Sequence, residues 1–206
     1  MNDVCVCVFA KAPVPGKVKT RLLPALTTQQ ACTVHENLLK HCVSRVQNNA
    51  WQSQLWSTDI EHSYINQCAA QYSMSLHTQL GDDLGERMSF TVRQNLKKFS
   101  YVILVGTDCP DLESSLIAEA IASLKEGSEA VLVPAEDGGY VLMGLSVHIE
   151  NIFTDMQWGS DKVLAVTRDR LVEAGIRWQE LAEQRDIDRP EDLDFLKQNY
   201  PALFIQ

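Results

Sequence analysis

Two sets of residues in this 206-residue chain have the types and spacing to act on a phosphorylated ligand. The first is FAKAPVPGKVKTRL, from Phe9 to Leu22, a loop carrying Lys11, Lys17, Lys19 and Arg21 together with Pro13, Pro15 and Gly16. A cationic loop leaving the end of a first parallel strand suits an anion, above all the phosphates of a nucleotide. Gly16 lets the backbone approach closely, while Lys19 and Arg21 can neutralise a diphosphate. The competing reading is a solvated basic loop. Neither a G-x-x-x-x-G-K-[ST] loop nor a G-x-G-x-x-G fingerprint is present.

The second set is carboxylates. Asp108, in GTDCPDL, directly follows an apolar strand and is a natural magnesium or manganese ligand facing a phosphate loop. Asp186 and Asp188, in RDIDRPEDL, share a face if extended and can complete a divalent-cation site with Asp108. Helix capping is the alternative for Asp108, Asp111 and Asp186. In EDGGYVLMGL, Asp137-Gly138-Gly139 predicts a hairpin turn with positive φ at Gly139, and the glycine pair lets a substrate lie beside Asp137 and Tyr140. GDDLGERM sets Gly81 and Asp82 at another strand end, as a ligand edge, with an ordinary cap by Asp82 or Asp83 as the alternative. Trp158, before Gly159-Ser160, can stack on a sugar or base, or simply pack. No histidine has a partner at triad-like spacing, and none is expected to be catalytic.

The elements that must position these residues alternate. Strands are predicted over residues 4–9, 51–58, 75–80, 101–105, 130–134, 139–145 and 177–181. Helices are predicted over 27–48, 60–71, 84–98, 114–125, 160–174 and 190–199, the first capped by Thr27 or Thr28. Repeated βα units imply a mostly parallel sheet with helices on both faces, in one domain.

Bulk properties narrow the field. A net charge of −9 disfavours a nucleic-acid or anionic-membrane partner, so the basic loop has a local task. The six cysteines form no C-x-x-C pair, which makes zinc and a disulfide framework poor readings, and Cys5 and Cys7 share a strand face as small buried groups. With no membrane-length apolar run and no basic region at Met1-Asn2-Asp3, a cytoplasmic location is expected.

In this order, FAKAPVPGKVKTRL, GDDLGERM, GTDCPDL, EDGGYVLMGL, Trp158-Gly159-Ser160 and RDIDRPEDL resemble the glycosyltransferase-like bacterial family DUF2064, of the nucleotide-diphospho-sugar transferase superfamily. The resemblance runs from the first strand to the last helix. It implies one GT-A-like domain over 1–206, a three-layer α/β/α sandwich with a mostly parallel, mixed sheet. It also implies a Mg2+- or Mn2+-dependent transferase with a nucleotide or nucleotide-sugar donor and a small-molecule acceptor. By the same resemblance Lys11, Pro13, Gly16, Lys19, Thr20 and Arg21, with Gly81 and Asp82, bind the nucleotide, and Lys19, Arg21 and Asp108 act in catalysis. Asp108 with Asp188, or with Asp186 in its place, holds the metal; Asp137, Gly138, Gly139, Tyr140 and Trp158 face the second substrate.

The chain departs from the superfamily twice. Asp108-Cys109-Pro110-Asp111 is one residue longer than a D-x-D triplet, and a G-G-x-x-x-R-M loop is missing. Two reactions therefore compete: glycosyl transfer from a nucleotide sugar, and nucleotidyl transfer from a nucleoside triphosphate with release of pyrophosphate. A nucleotide-binding regulatory module without turnover is the reading from a different class.

Overall fold

A computed structural model describes residues 3–23 and 25–204 of the chain. Met1 and Asn2, part of the segment read for a leader, lie outside the described residues. The strands are β1 (Val4–Ala10), β2 (Gln52–Ser57), β3 (Ser75–Thr78), β4 (Tyr101–Gly106), β5 (Ala130–Pro134), β6 (Tyr140–Leu145) and β7 (Trp178–Glu180). The helices are α1 (Thr28–Val46), α2 (Ser63–Gln71), α3 (Leu84–Asn95), α4 (Ser114–Lys125), α5 (Val163–Glu173) and α6 (Asp192–Asn199). Each matches a predicted element, with ends shifted by a few residues. The short 3-10 turns at Thr20–Leu22 and Glu150–Ile152 carry no periodicity and were not predicted.

The strands form one seven-stranded sheet in the order β3-β2-β1-β4-β6-β5-β7. Only β6 runs against its neighbours, because the Asp-Gly-Gly turn folds it back on β5 before it pairs with β4. Period-two alternation along β1 divides the core between two faces. Val4, Val6 and Val8 pack with α1, α2 and α4, while Cys5 and Cys7 pack with Met88 and Val92 of α3 and Leu164 and Leu171 of α5. This is the three-layer α/β/α arrangement. All six cysteines are buried free thiols, and for Cys5 and Cys7 burial is what the strand-face reading expected.

Helix starts are set locally. Thr27 caps α1 through a reciprocal pair: Gln30 N donates to Thr27 Oγ1 at 3.2 Å, and Thr27 N donates to Gln30 Oε1 at 3.0 Å. Asp83 caps α3 by accepting from Glu86 N at 2.8 Å. Among the described residues no helix is long and apolar enough to cross a membrane.

The topology decides where a ligand can sit. β1 pairs with β2 on one side and β4 on the other, so the connections leave β1 and β4 in opposite directions and open a crevice at their carboxyl ends. Because β6 is reversed, its first residue, Tyr140, lies at that same edge, as does the loop after β7.

Candidate functional site

A cleft of about 640 Å³ lies at this edge, a size suited to a small-molecule ligand. Lys11, Lys17, Lys19, Thr20 and Arg21 line it from the first loop and Asp108 from the end of β4; Asp137, Gly139 and Tyr140 come from the hairpin, Trp158 from the loop before α5, and Asp186 and Asp188 from the loop after β7. Five segments distant in sequence thus meet where strand ends converge.

Two ion pairs tie them together, one inner and one outer. Lys19 adopts a left-handed backbone conformation, φ 49°, uncommon for a residue with a Cβ. Its side chain, 3% accessible, pairs through Nζ with Asp108 Oδ1 at 2.9 Å and also donates to the carbonyl of Ile187. Lys19, expected to bind phosphates, has its ammonium turned inward onto these protein oxygens. Burial alone would raise the Asp108 carboxyl, but the Lys19 charge, helped by His35 and by hydrogen bonds from Lys19 and Thr107, brings it below its ordinary value. The Asp108 side chain still opens to the cleft, at 44% accessible.

Ile187 is fully buried and its N–H donates to the Asp108 carbonyl at 2.9 Å. With Ile187 anchored on both its backbone groups, Asp186 and Asp188 on either side of it reach the cleft together, as extended backbone requires. In the outer pair, Arg21 Nη1 donates to Asp188 Oδ2 at 2.6 Å and Nη2 to the carbonyl of Gly159 at 2.9 Å.

Among the described residues, Asp137, Asp186 and Asp188 each offer an oxygen within 4.8 Å of the others. Three hard oxygen donors at this spacing fit Mg2+ or Mn2+, which bind carboxylates at roughly 2.0–2.1 Å and retain waters. Burial, and then the charges of Asp137 and Asp108, push the Asp186 carboxyl up to about 7, as crowding of carboxylates requires. In this cluster Asp137 stands with Asp186 and Asp188, while Asp108, expected as their metal-binding partner, lies beside it paired with Lys19.

Several expected roles find other partners. Asp111 accepts from the Tyr200 hydroxyl, so it neither caps α4 nor lines the cleft. Pro13, Gly16, Gly81, Asp82 and Gly138 are also outside the lining; the Gly81 and Asp82 carbonyls accept from Arg87 instead. Positive φ falls on Gly138 (88°) and not on Gly139, because Asp137 Oδ1 accepts from Gly139 N at 2.9 Å and closes the turn one residue earlier. A Cβ on Gly138 would also run into the Asp161 backbone. Gly138→Ala is accordingly expected to cost about 1–3 kcal/mol, read as a lower urea midpoint at unchanged slope. A midpoint equal to wild type would show that the turn relaxes freely.

Tyr140 and Trp158 form an aromatic side of the cleft. The Tyr140 hydroxyl and Trp158 Nε1 are buried with no hydrogen-bond partner among the described residues, and burial drives the Tyr140 phenol upward. The Trp158 indole lies on Gly85, where a Cβ would come within 2.8 Å of it.

Sequence reasoning missed His35, Gln79 and Arg87, all of which line the cleft. His35, its pKa lowered chiefly by burial, has Nε2 2.9 Å from the Lys11 carbonyl, to which it can only donate, and so it fixes the start of the basic loop. Gln79 Nε2 donates to the carbonyls of Ala10 (3.1 Å) and Trp56 (2.9 Å), joining the ends of β1 and β2. Gln79 stands just beyond β3 and Arg87 lies in GDDLGERM, positions that could have flagged them; His35 sits within α1 and carries no such local sign.

The model of the family described as an uncharacterized protein conserved in bacteria, DUF2064, matches residues 40–160. A comparison with curated proteins finds no match. Among solved structures, a protein from Desulfovibrio desulfuricans G20, provisionally assigned as a nucleotide-diphospho-sugar transferase, is 26% identical, with a TM-score of 0.87 over 97% of this chain and 88% of that one. CMP:2-keto-3-deoxy-manno-octonic acid synthetase complexed with CTP is 11% identical, with a TM-score of 0.63 over 97% and 98% of the two chains. Glucosyl-3-phosphoglycerate synthase from Mycobacterium tuberculosis, in complex with Mn2+, UDP and glucosyl-3-phosphoglycerate, is 11% identical, with a TM-score of 0.58 over 97% and 77%. The fold is that of the nucleotide-diphospho-sugar transferases, shared by glycosyl- and nucleotidyltransferases, and a shared fold does not choose between reactions.

Proposed function

Because this chain belongs to the DUF2064 family, whose fold is that of nucleotide-diphospho-sugar transferases, we propose that it is a divalent-metal-dependent transferase that moves a glycosyl group from a nucleotide sugar to a small-molecule acceptor. The observation that carries this reading is the convergence of Asp108, Asp137, Asp186 and Asp188 with Lys11, Lys17, Lys19 and Arg21 in one cleft. Carboxylates and cations brought this close serve a ligand that itself bears phosphates and a metal.

In this reading Asp137, Asp186 and Asp188 hold the ion, and Lys11 and Lys17, both exposed on the cleft, meet the donor phosphates. A bound divalent ion supplies charge neutralisation for the departing diphosphate. Lys19 keeps Asp108 ionised and in place beside that charge. Tyr140 and Trp158 offer an apolar, aromatic side against which a sugar or acceptor lies. The chain needs no strong base for such a transfer, since positioning and electrostatics carry most of the barrier reduction.

Nucleotidyl transfer is the second reading, favoured by the cations of the first loop, since departing pyrophosphate bears more charge than a bound diphosphate. Incubation with a panel of nucleotide sugars and nucleoside triphosphates, with Mn2+, Mg2+ or chelator, separates the two. Release of nucleoside diphosphate that stops with chelator is the expected result. Pyrophosphate release from a triphosphate would install the second reading, and no turnover of any donor would sink both.

A further inference from the structure

The outer ion pair differs from the inner one in a way that bears on how the site fills, and the inference rests on the metal-dependent reading above. Lys19 is enclosed, with its ammonium divided between Asp108 and Ile187. Arg21 is open: its side chain is 49% accessible, and the Asp188 it binds is 22% accessible. The Arg21 guanidinium bonds Asp188 and also feels the charges of Asp137 and Asp186, the other two carboxylates of the cluster. It is therefore the counter-charge of the same three oxygens that suit a divalent ion. A guanidinium and a divalent ion cannot both sit against Asp188 without strong repulsion. An exposed ion pair of this kind is weak enough to exchange, and the Arg21 side chain already lines the cleft where phosphates would lie.

We propose that Arg21 couples metal binding to phosphate binding: it occupies the Asp137–Asp186–Asp188 carboxylates in the free protein and passes to the donor's phosphates when a divalent ion takes those oxygens. Metal alone must displace Arg21 with nothing to receive it. A diphosphate alone meets an Arg21 that is still held by Asp188. Together each ligand relieves the cost of the other, and by linkage the enhancement is reciprocal. The carbonyl of Gly159, the second acceptor of Arg21, is released in the same exchange, so the loop ahead of α5 responds to ligand as well.

The test is calorimetric titration of Mn2+ into wild type, Arg21→Gln, Arg21→Lys and Lys17→Gln, each with and without saturating inorganic pyrophosphate, corrected for the complex these two form in solution. In wild type, pyrophosphate should tighten Mn2+ binding by about tenfold, within the usual roughly 5–150-fold range of coupled sites. In Arg21→Gln, Mn2+ alone should bind about fivefold tighter than in wild type, while the enhancement by pyrophosphate falls by a similar factor. Arg21→Lys, which keeps the charge, should remain near wild type for Mn2+ alone. Lys17→Gln removes a cleft cation assigned to the phosphates and not to the carboxylates, so it should change the affinity for Mn2+ alone little while weakening the pyrophosphate response. Unchanged or weaker Mn2+ binding in Arg21→Gln, or equal tightening in Lys17→Gln, would overturn the exchange while leaving the metal-dependent reading standing. No Mn2+ binding by wild type, with or without pyrophosphate, would remove that reading and the exchange with it.

Discussion

Asp108→Ala is expected to lose about 3–5 kcal/mol of stability, towards the lower end because the cleft admits water, besides reducing turnover by about 100-fold or more. The reason for the stability loss lies with Lys19. Its side chain is 3% accessible, and without Asp108 its ammonium keeps, among the described residues, only the Ile187 carbonyl as a partner. A buried charge stripped of its counter-ion is among the most damaging changes a fold can suffer. Adding Lys19→Met removes the stranded charge, so the double variant should recover much of the lost stability and none of the activity. Urea unfolding of wild type, both single variants and the double variant gives the coupling directly. Additive losses would mean that the pair contributes nothing as a pair.

The second large effect is a dependence of stability on pH. The Asp186 carboxyl sits at about 7 in the folded protein against an ordinary value of 3.8, raised first by burial and then by Asp137 and Asp108. Between these values the folded state holds a proton that the unfolded state has released, so the metal-free protein should lose stability as pH rises from about 4 to about 7. The lowered Asp108 carboxyl acts in the opposite sense and in a lower window, contributing stability that is lost only as pH falls below its ordinary value. Because Asp186 is partly open to solvent, the loss is of order 1–2 kcal/mol and not the full value of the shift. In chelator, Asp186→Asn should match wild type near pH 4 and be the more stable of the two near pH 8. Parallel stability curves for the two proteins would show that Asp186 ionises without cost. Saturating Mn2+ should reverse the order at pH 8, since ionised Asp186 then has its counter-ion.

Much of this site is local and was therefore legible. The cations between Lys11 and Arg21 follow β1, Asp108 follows β4, and Asp137 lies in a turn whose glycines announce it; all three placements depend on strand ends and turn chemistry within a few residues. Thr27 and Asp83 as caps were equally readable, since a cap acts on amides three residues away. Where competing choices were separated by one residue, the local reading slipped, as at Gly138 and Gly139.

By itself, then, the sequence determined the alternation of strands and helices, the two-faced core of β1 and the edge of the sheet to which the first loop, Asp108 and the Asp-Gly-Gly turn belong. It could not determine who pairs with whom. Lys19 with Ile187 and Arg21 with Asp188 join residues 168 and 167 positions apart. The Tyr200 hydroxyl takes Asp111 out of the cleft from 89 positions away. Such contacts leave no periodicity and no cap, because the free energy that selects them is exchanged only when the sheet has brought the segments together. The tertiary structure therefore decided that one cation is enclosed and the other exposed, and that Asp137 and not Asp108 completes the carboxylate cluster. Burial sets Lys19 in place and leaves Arg21 free to move, and burial is a property of the assembled molecule.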